Sequence, residues 1–209
     1  MEIDFSEVIT SQEQIREVIG HPSERVVNKA ISILDEHCRA LIAKSPFLLI
    51  ASTDQSGNMD ISPKGDPPGF VQVLDDKTLA IPDRPGNRRA DTFLNILQNP
   101  GVGLLFLIPG QRETLRISGT AKIVRDAWLL EKMVIQGKKP NFAIVVTVKE
   151  AFLHCAKCII RSHLWEPEHW PDLEGLPSLA RILIDHANLT DSVEEIQQSL
   201  DEGYRANLY

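Results

Sequence analysis

The stretch Asp83-Arg84-Pro85-Gly86-Asn87-Arg88-Arg89 places three arginines within six residues of a 209-residue chain whose formal net charge is -7. A strand-like run precedes it at 78–81, and a helix-like run follows it at 90–98. The central Pro-Gly is typical of a turn, and the asparagine after it is a favourable helix N-cap. The pattern predicts a strand, a tight turn and a helix whose first turn contains Arg88 and Arg89.

Basic side chains in the first turn of a helix are disfavoured, because the helix macrodipole is positive there. A bound anion removes the conflict, since free backbone N–H groups, the dipole and guanidinium groups together form a phosphate site. The alternative is that the three arginines are solvated surface charges. The stretch alone leaves both interpretations open.

Composition limits the classes of partner. The hydrophobic content of 43% and the charged content of 24% are ordinary for a globular protein. The acidic net charge argues against a nucleic-acid partner or an anionic membrane surface, so a local basic cluster indicates a small anion. Three cysteines without a secretory signal, and no apolar run near the length of a membrane span, lead us to expect a cytoplasmic protein without disulfides.

The chain divides into three parts by pattern. Residues 1–44 are predicted to be a helical extension, with a first helix capped by Thr10 or Ser11 and a second running from Pro22 through Leu34. Residues 34–43 either continue the second helix or form a third short one. Residues 45–165 form the main domain. Residues 166–209 are predicted to be a second extension with helices at 178–188 and 192–205, the latter capped by an Asp191–Glu194 pair.

Short strands separated by tight turns dominate the main domain. They are predicted at 47–53, 59–62, 70–73, 77–81, 102–108, 113–124 and 142–148, with a continuation to 154 left open, and a helix is predicted at 126–136. This pattern favours an antiparallel barrel. The fold class expected is therefore mainly β with α: a β-barrel with N- and C-terminal helical extensions.

Five segments in order resemble the pyridoxamine 5'-phosphate oxidase-like, FMN-binding split-barrel family. They are Ser45-Pro46-Phe47, Asp60-Ile61-Ser62-Pro63-Lys64-Gly65-Asp66, Pro82-Asp83-Arg84-Pro85-Gly86-Asn87-Arg88-Arg89, Asn99-Pro100-Gly101-Val102-Gly103-Leu104-Leu105-Phe106 and Glu113-Thr114-Leu115-Arg116-Ile117-Ser118-Gly119. The likeness is strongest to the branch with Ser-Pro-Lys-Gly-Asp and Arg-Pro-Gly-Asn motifs. It implies a split β-barrel homodimer with FMN bound in two clefts at the dimer interface.

The resemblance also implies roles for particular residues. The phosphate-binding pair falls on Arg88 and Arg89, with Arg84 and Asn87 in the same turn and Lys64 on the preceding strand. Ile61 and Ser62 are expected to run along the flavin, and Ile81 and Pro82 to lie near its ring or ribityl chain. Two segments are expected to reach the cofactor from the partner subunit. They are Glu113, Thr114, Leu115 and Arg116, and a later segment with Arg161 and Trp165.

These implications lead to an FMN-dependent oxidoreductase of unknown substrate, with NADH or NADPH as a possible electron donor and no catalytic residue assigned. The alternatives are a flavin-binding or flavin-sensing module without turnover, or a split barrel that holds deazaflavin or haem. Pyridoxamine phosphate oxidases proper end in an Arg-Leu-x-Pro segment, whereas this sequence ends Arg205-Ala206-Asn207-Leu208-Tyr209. The resemblance therefore supports the flavin and not the vitamin substrate.

The run His154-Cys155-Ala156-Lys157-Cys158, followed by His163 and His169, raises the question of zinc. Structural zinc commonly takes four ligands from two paired clusters, and only one C-x-x-C is present. If 152–158 is a strand, the two cysteines point to opposite faces, and a thioredoxin-like pair lacks its strand-to-helix setting. No metal site is predicted, and the roles of His154 and Lys157 stay open.

Overall fold

A computed structural model describes residues 3–209 as seven strands and eight α-helices. The strands are β1 (Phe47–Thr53), β2 (Met59–Gly65), β3 (Gln72–Val73), β4 (Thr78–Pro82), β5 (Gly101–Leu107), β6 (Thr114–Val124) and β7 (Ala143–His154). The helices are α1 (Gln12–Ile19), α2 (Glu24–Asn28), α3 (Glu36–Lys44), α4 (Asp91–Gln98), α5 (Ala127–Glu131), α6 (Lys157–Ser162), α7 (Leu179–Ala187) and α8 (Val193–Ala206). A 3₁₀ turn covers Pro167–His169.

All seven strands belong to one sheet in the order β2-β1-β5-β6-β7-β4-β3, and every neighbouring pair is antiparallel. The long strands β6 and β7 form its centre, because β6 also pairs with β5 and β7 also pairs with β4. A β-bulge between Ser118 and Gly119 interrupts the β6–β7 register. Bulges increase the local twist and bend of a strand, so this one curves the sheet at its middle.

The core follows from alternation along the strands. In β1 and β5 every second residue is buried, as expected where one face of a sheet packs against apolar side chains. The same core takes in Leu34, Cys38 and Ile42, so the chain from 34 onward packs into the barrel. A smaller apolar cluster joins Leu129, Leu130 and Met133 to β4 and β7.

Most of the predicted strands are confirmed, with β7 running to His154 as the longer alternative required. The two C-terminal helices are confirmed at 179–187 and 193–206, but the capping pair was wrong. Ser192 caps α8 in a capping box with Glu195: its side chain accepts from the Glu195 backbone N–H. The N-cap and its partner therefore each lie one residue later in the sequence than predicted. The predicted 1–44 segment includes Met1 and Glu2, which lie outside the described residues.

Three predicted helices are shorter than the sequence suggested. The second ends at Asn28, because the backbone of Ile31 exchanges hydrogen bonds with Ala151 of β7 at 3.0 and 2.8 Å. The helix predicted at 126–136 ends at Glu131, and Gln136 and Gly137 then form a turn with positive φ angles of 49° and 75°. In both places long-range or turn contacts outweigh a helical pattern of apolar residues.

The helix after the arginine-rich turn is the third one that is shorter than predicted. It begins at Asp91, so Arg88 and Arg89 lie in the loop before it and not in its first turn. Its N-cap is Ala90, with φ of 61°, and Arg88 has φ of 63°. Two left-handed residues in close succession turn the chain sharply before the helix starts.

The C-x-x-C segment also differs from the prediction. β7 ends at His154 and α6 begins at Lys157, so Cys155 lies in the connection and Cys158 in the helix. The segment is therefore a strand-to-helix junction, and the argument from opposite strand faces does not apply. Both thiols are exposed, whereas Cys38 is buried. Among the helices described, none combines the length and the apolar character needed to cross a bilayer.

Candidate phosphate and cofactor site

A cleft of about 1190 Å³ lies between the edge strand β2, the arginine-rich loop and the start of α4. Small-molecule pockets are typically about 300–1,000 Å³, so there is room for a ligand of nucleotide size. Its lining residues are Asp60, Ile61, Ser62, Pro63, Lys64, Asp83, Arg84, Pro85, Gly86, Asn87, Arg88, Arg89, Ala90, Asp91, Thr92, Phe93, Lys138, Lys139, Pro140, Asn141, Phe142, Asn207 and Tyr209. A second depression, of about 500 Å³, is lined by one face of α8 alone and brings no other element together.

The cleft is basic in an acidic protein. Six lysines and arginines line it against three aspartates, which gives a local net charge of +3 in a chain of net charge -7. Concave surfaces lined by one sign of charge concentrate the opposite charge. The cleft therefore favours an anionic ligand.

The six basic residues are not equally available to a ligand. Arg89 pairs with Asp91 at 2.7 Å, and Lys139 pairs with Glu131 at 2.9 Å. Both pairs are exposed and therefore exchange readily with solvent or a ligand. Lys64, Arg88 and Lys138 have no ion-pair partner within 4.0 Å among residues 3–209.

Arg84 is already engaged at the floor of the cleft. Its Nε donates to Asp66 Oδ2 at 2.6 Å and its Nη2 donates to the Met133 carbonyl at 2.9 Å. The Tyr209 hydroxyl donates to the other oxygen of Asp66 at 2.9 Å, and this hydrogen bond raises the pKa of Tyr209. The side chains of Arg84 and Asp66 are only 16% and 1% exposed. Arg84 therefore supports the loop from below, and the C-terminal residue packs beside it.

The start of α4 offers backbone donors to the cleft. No side chain in the described part of the chain caps this helix, although Asp91, Thr92 and Phe93 of its first turn line the cleft. The first N–H groups of a helix have no intrahelical acceptor and need another partner. Asn87 does not supply it, because its side-chain oxygen accepts from the Arg89 backbone N–H at 3.0 Å. Uncapped donors beside basic side chains are the physical basis of a phosphate site.

Polar contacts between strands and α4 hold that helix in place. Thr92 Oγ1 donates to Asp60 Oδ2 at 2.9 Å, which ties the first helical turn to β2. Further along, Asn95 Nδ2 donates to Ser52 Oγ at 3.1 Å. These buried or half-buried bonds fix where the free N–H groups point.

Lys64 and Asp83 both line the cleft, and their opposite charges attract each other. Burial lowers the pKa of Lys64, and the opposing attraction of Asp83 and then Asp60 only partly offsets it. Burial likewise raises the pKa of Asp83, against the attraction of Lys64 and Arg84. Both charges are therefore under-solvated, and Lys64 in particular gains from a ligand that brings negative charge.

The residues predicted to run along the ring system fall into two groups. Ile61 and Ser62 line the cleft from β2, and Ile61 is 60% exposed. Ile81 and Pro82 of β4 are buried and do not line it, as far as residues 3–209 show. The Ile81 side chain belongs to the main core, and neither residue presents its side chain to the cleft.

The segments expected to act across a dimer form a separate cluster. In the described chain, Glu113 through Arg116, Arg161 and Trp165 do not line the cleft. Leu115 is 2% exposed and points into the core, and the Arg116 guanidinium lies over the Phe152 ring at 5.0 Å. Trp165 Nε1 donates to the Gln111 carbonyl at 2.8 Å, which joins the two segments to each other.

Sequence reasoning missed the contribution of 138–142 and of the chain's last residues. Lys138 and Phe142 reach the cleft from the connection before β7, and Asn207 and Tyr209 from beyond α8. The adjacent lysines at 138 and 139 were a signal that a second basic segment was present. Their place opposite the arginine-rich loop depends on the pairing of β4 with β7, which no local pattern reveals.

Comparison with known proteins agrees with this architecture. The family model of pyridoxamine 5'-phosphate oxidase matches residues 34–155, more than half of the chain. The fold is the split β-barrel with added helices, and the chain belongs to the pyridoxamine 5'-phosphate oxidase-like family. A comparison with curated proteins gave no match.

Several solved structures are similar to part of this chain, at low sequence identity and with TM-scores below 0.5. HupZ of Group A Streptococcus is 21% identical, with a TM-score of 0.48 over 58% of this chain and 94% of that one. General Stress Protein 26 of Bacillus anthracis is 15% identical, with a TM-score of 0.43 over 55% and 88%. An FMN-binding protein of Syntrophomonas wolfei is 12% identical, with a TM-score of 0.41 over 55% and 86%.

Proposed function

We propose that this protein binds FMN in the basic cleft and acts as a flavin-dependent oxidoreductase. The observation that carries the proposal is the uncapped start of α4 beside Lys64 and Arg88, whose charges have no ion-pair partner among the described residues. A phosphate monoester is a near-dianion at neutral pH and satisfies all of these groups together.

Each part of the cleft then has a role in holding the cofactor. Arg88, Arg89 and Lys64 would neutralise the phosphate, with arginine forks matching its oxygens and lysine adding a point charge. Asn87 shapes the loop through its bond to the Arg89 N–H, and Arg84 supports the loop from its ion pair with Asp66. Ile61 and Ser62 on β2 would flank the ring, one with apolar surface and one with polar groups.

When bound, the flavin supplies the electron-transfer chemistry, and the protein supplies position and electrostatic environment. No side chain needs to act as an acid or base in hydride transfer to a flavin. Asp60 and Asp83 also line the cleft, but Asp60 already accepts from Thr92. We propose NADH or NADPH as the donor to be tested first, with the acceptor unassigned.

The lining chemistry favours a flavin over haem. No histidine, cysteine or methionine lines the cleft among residues 3–209, and these are common axial ligands of haem iron. Tyr209, the one tyrosine there, already donates its hydroxyl hydrogen to Asp66. Deazaflavin also carries a phosphate and fits the same charges, so mass spectrometry of the bound cofactor is needed to distinguish it from FMN.

We further propose a homodimer in which Glu113, Thr114, Leu115 and Arg116, together with Arg161 and Trp165, approach the partner's cleft. Within one chain none of these residues lines its own cleft, and the bond from Trp165 to Gln111 holds the later segment close to the start of the earlier one. Exposed apolar residues along the edge strand β2, Met59 at 67% and Ile61 at 60%, are surface that a partner can cover.

Two measurements test the proposal. Mass spectrometry of the cofactor released from purified protein is expected to give FMN, and release of haem or deazaflavin would contradict that assignment. Anaerobic addition of NADH or NADPH to the FMN-loaded protein is then expected to bleach the flavin absorption at a rate that supports turnover. A flavin that stays oxidised with both donors would instead identify a binding or sensing module.

A further inference from the structure

Three potential metal ligands recur at every third residue in the segment after α6: His163, Glu166 and His169. The backbone explains their alignment. His163 ends α6 with φ of 50°, the Glu166 N–H donates to the His163 carbonyl at 3.0 Å, and the His169 N–H donates to the Glu166 carbonyl at 2.9 Å. Both bonds are of the i→i+3 type, so the chain turns between each ligand residue and the next. These turns bring the three side chains together, as the distances between their ligand atoms show.

Their ligand atoms lie close together in this arrangement. His163 Nδ1 is 2.7 Å from Glu166 Oε2, His169 Nδ1 is 3.4 Å from the same oxygen, and ligand atoms of all three residues fall within 4.8 Å of one another. The two imidazole rings are stacked with centroids 4.3 Å apart. The tryptophans on either side steady the loop, since Trp165 Nε1 donates to the Gln111 carbonyl and Trp170 Nε1 to the Leu164 carbonyl.

We propose that His163, Glu166 and His169 form a binding site for a divalent transition-metal ion of the Zn²⁺ class. Two imidazoles and one carboxylate are an established ligand set for zinc, with water in the fourth position. Ligand atoms about 2.1 Å from a tetrahedral ion lie about 3.4 Å apart, which matches the His169–Glu166 separation. The shorter His163–Glu166 separation opens by a small side-chain rotation.

The exposure of the site determines its character. The three side chains are 46%, 36% and 50% exposed, so an ion can enter and leave without a change of fold. Structural zinc sites are closed by four protein ligands, whereas sites with three keep a position open to water or another ligand. We therefore assign a labile, accessible site, in contrast to the single C-x-x-C that first raised the question of zinc. This site does not depend on the flavin proposal.

Zn²⁺ titration by calorimetry tests the site in the full chain carrying Cys155→Ser and Cys158→Ser, which removes the two exposed thiols as competing ligands. One Zn²⁺ per chain is expected to bind. His163→Ala, His169→Ala and Glu166→Gln, each added to that background, are each expected to weaken binding about tenfold or more. The matched controls His186→Ala and Glu168→Gln, at exposed positions outside the cluster, are expected to leave affinity unchanged.

A second readout locates the ion. Trp165 and Trp170 are close in sequence to the cluster, so Cu²⁺ bound there is expected to quench their fluorescence and excess Zn²⁺ to restore it. The same variants should lose this reversible quenching while their metal-free thermal unfolding stays unchanged. No Zn²⁺ binding in the thiol-free chain, or binding that survives all three substitutions, would overturn the assignment. Neither outcome would test FMN binding itself, since none of the three residues lines the cleft of its own chain.

Discussion

Two arginines of one short loop illustrate how residues with the same charge differ in role. Arg88 is exposed and has no ion-pair partner in the described chain, whereas Arg84 is held by Asp66 and by the Met133 carbonyl. The sequence placed both in a single phosphate-binding turn, because it shows charges but not their partners. The buried Asp66 carboxylate distinguishes them, because it pairs with Arg84 and not with Arg88. The amino-acid sequence does not indicate that Asp66 is buried.

Asp66→Asn is expected to destabilise the protein by about 3–5 kcal/mol, because it leaves the half-buried Arg84 without a counter-charge. Urea unfolding of the cofactor-free protein measures the change. Asp76→Asn is the matched control, since Asp76 pairs with Arg39 on the surface with side chains 79% and 37% exposed, and a loss below about 1 kcal/mol is expected there. Equal effects at the two sites would contradict the supporting role of Arg84.

Lys64→Met is expected to stabilise the cofactor-free protein at neutral pH while weakening FMN binding at least about tenfold. Burial lowers the pKa of Lys64 below its ordinary 10.5, so the folded chain holds that proton less tightly than the unfolded chain. At pH 7, below both pKa values, both states carry the charge and the folded state bears the full desolvation cost. The variant removes that cost and a phosphate contact together.

The same linkage gives a pH test of this prediction. As pH rises through the lowered folded pKa towards 10.5, the wild-type lysine loses its proton in the folded state and its desolvation cost is relieved. The stability advantage of Lys64→Met over the wild type is therefore expected to shrink across that window. Chemical unfolding of both proteins at a series of pH values measures the difference, and an advantage that grew with pH would contradict the sign.

At the level of helices and strands, local sequence patterns were sufficient to predict the strands but not the helix ends. The strands could be predicted well because their pattern is local: in β1 and β5 every second residue along the sequence is buried. Helix ends were found less well, because α2 stops where Ile31 pairs with Ala151, about 120 residues away. The helix after the arginine loop likewise begins after Arg89 because Arg88 and Ala90 are left-handed. As a result, Arg88 and Arg89 lie in a loop in front of the free N–H groups of the helix and not in its first turn.

Gly119, beside the β6–β7 bulge, gives the sharpest prediction for a single element. A Cβ atom there would lie 2.2 Å from the Thr147 carbonyl oxygen, and rigid backbone in two paired strands cannot move aside easily. Gly119→Ala is expected to cost about 3 kcal/mol or more in stability. Gly103→Ala on neighbouring β5 is the control, because no described atom lies within 4 Å of its added Cβ. Thermal unfolding of both variants compares them, and a Gly119→Ala protein as stable as Gly103→Ala would refute the close approach.

For the whole molecule, order and spacing of motifs indicated the family and the barrel, which the match to residues 34–155 confirms. Local sequence could not show which distant segments meet. The cleft joins β2 to the 138–142 connection and to Tyr209, and these lie far apart along the chain. His163 and His169 were considered as zinc ligands only together with the cysteines, and Glu166 was not considered. The turns that bring Glu166 between the two histidines are visible only in the backbone.

The dimer proposal has a test at the same scale. The variant Arg88→Ala plus Arg89→Ala is defective in its own cleft, and the variant Trp165→Ala is defective in the partner-facing segment. When the two are mixed, each heterodimer has one intact site, which combines the unmutated cleft of one chain with the unmutated Trp165 of the other. With equal amounts and random pairing, half of the dimers are heterodimers with one intact site each, so FMN binding is expected to recover to about a quarter of the wild-type capacity. Recovery is measured by equilibrium dialysis of the mixture. A mixture that binds no more FMN than the two separate variants would contradict a shared site.

An FMN titration of the cofactor-free protein shows whether the basic loop in front of α4 binds the phosphate of FMN. Arg88→Ala plus Arg89→Ala is expected to weaken binding by about 100-fold or more, since charge-assisted hydrogen bonds contribute about 1.5–3 kcal/mol each. Riboflavin, which lacks the phosphate, is expected to bind both proteins equally weakly. The control Arg16→Ala plus Arg25→Ala removes the same charge from the N-terminal helices and is expected to bind FMN as the wild type does. Unchanged FMN affinity in the Arg88 and Arg89 variant would contradict the account.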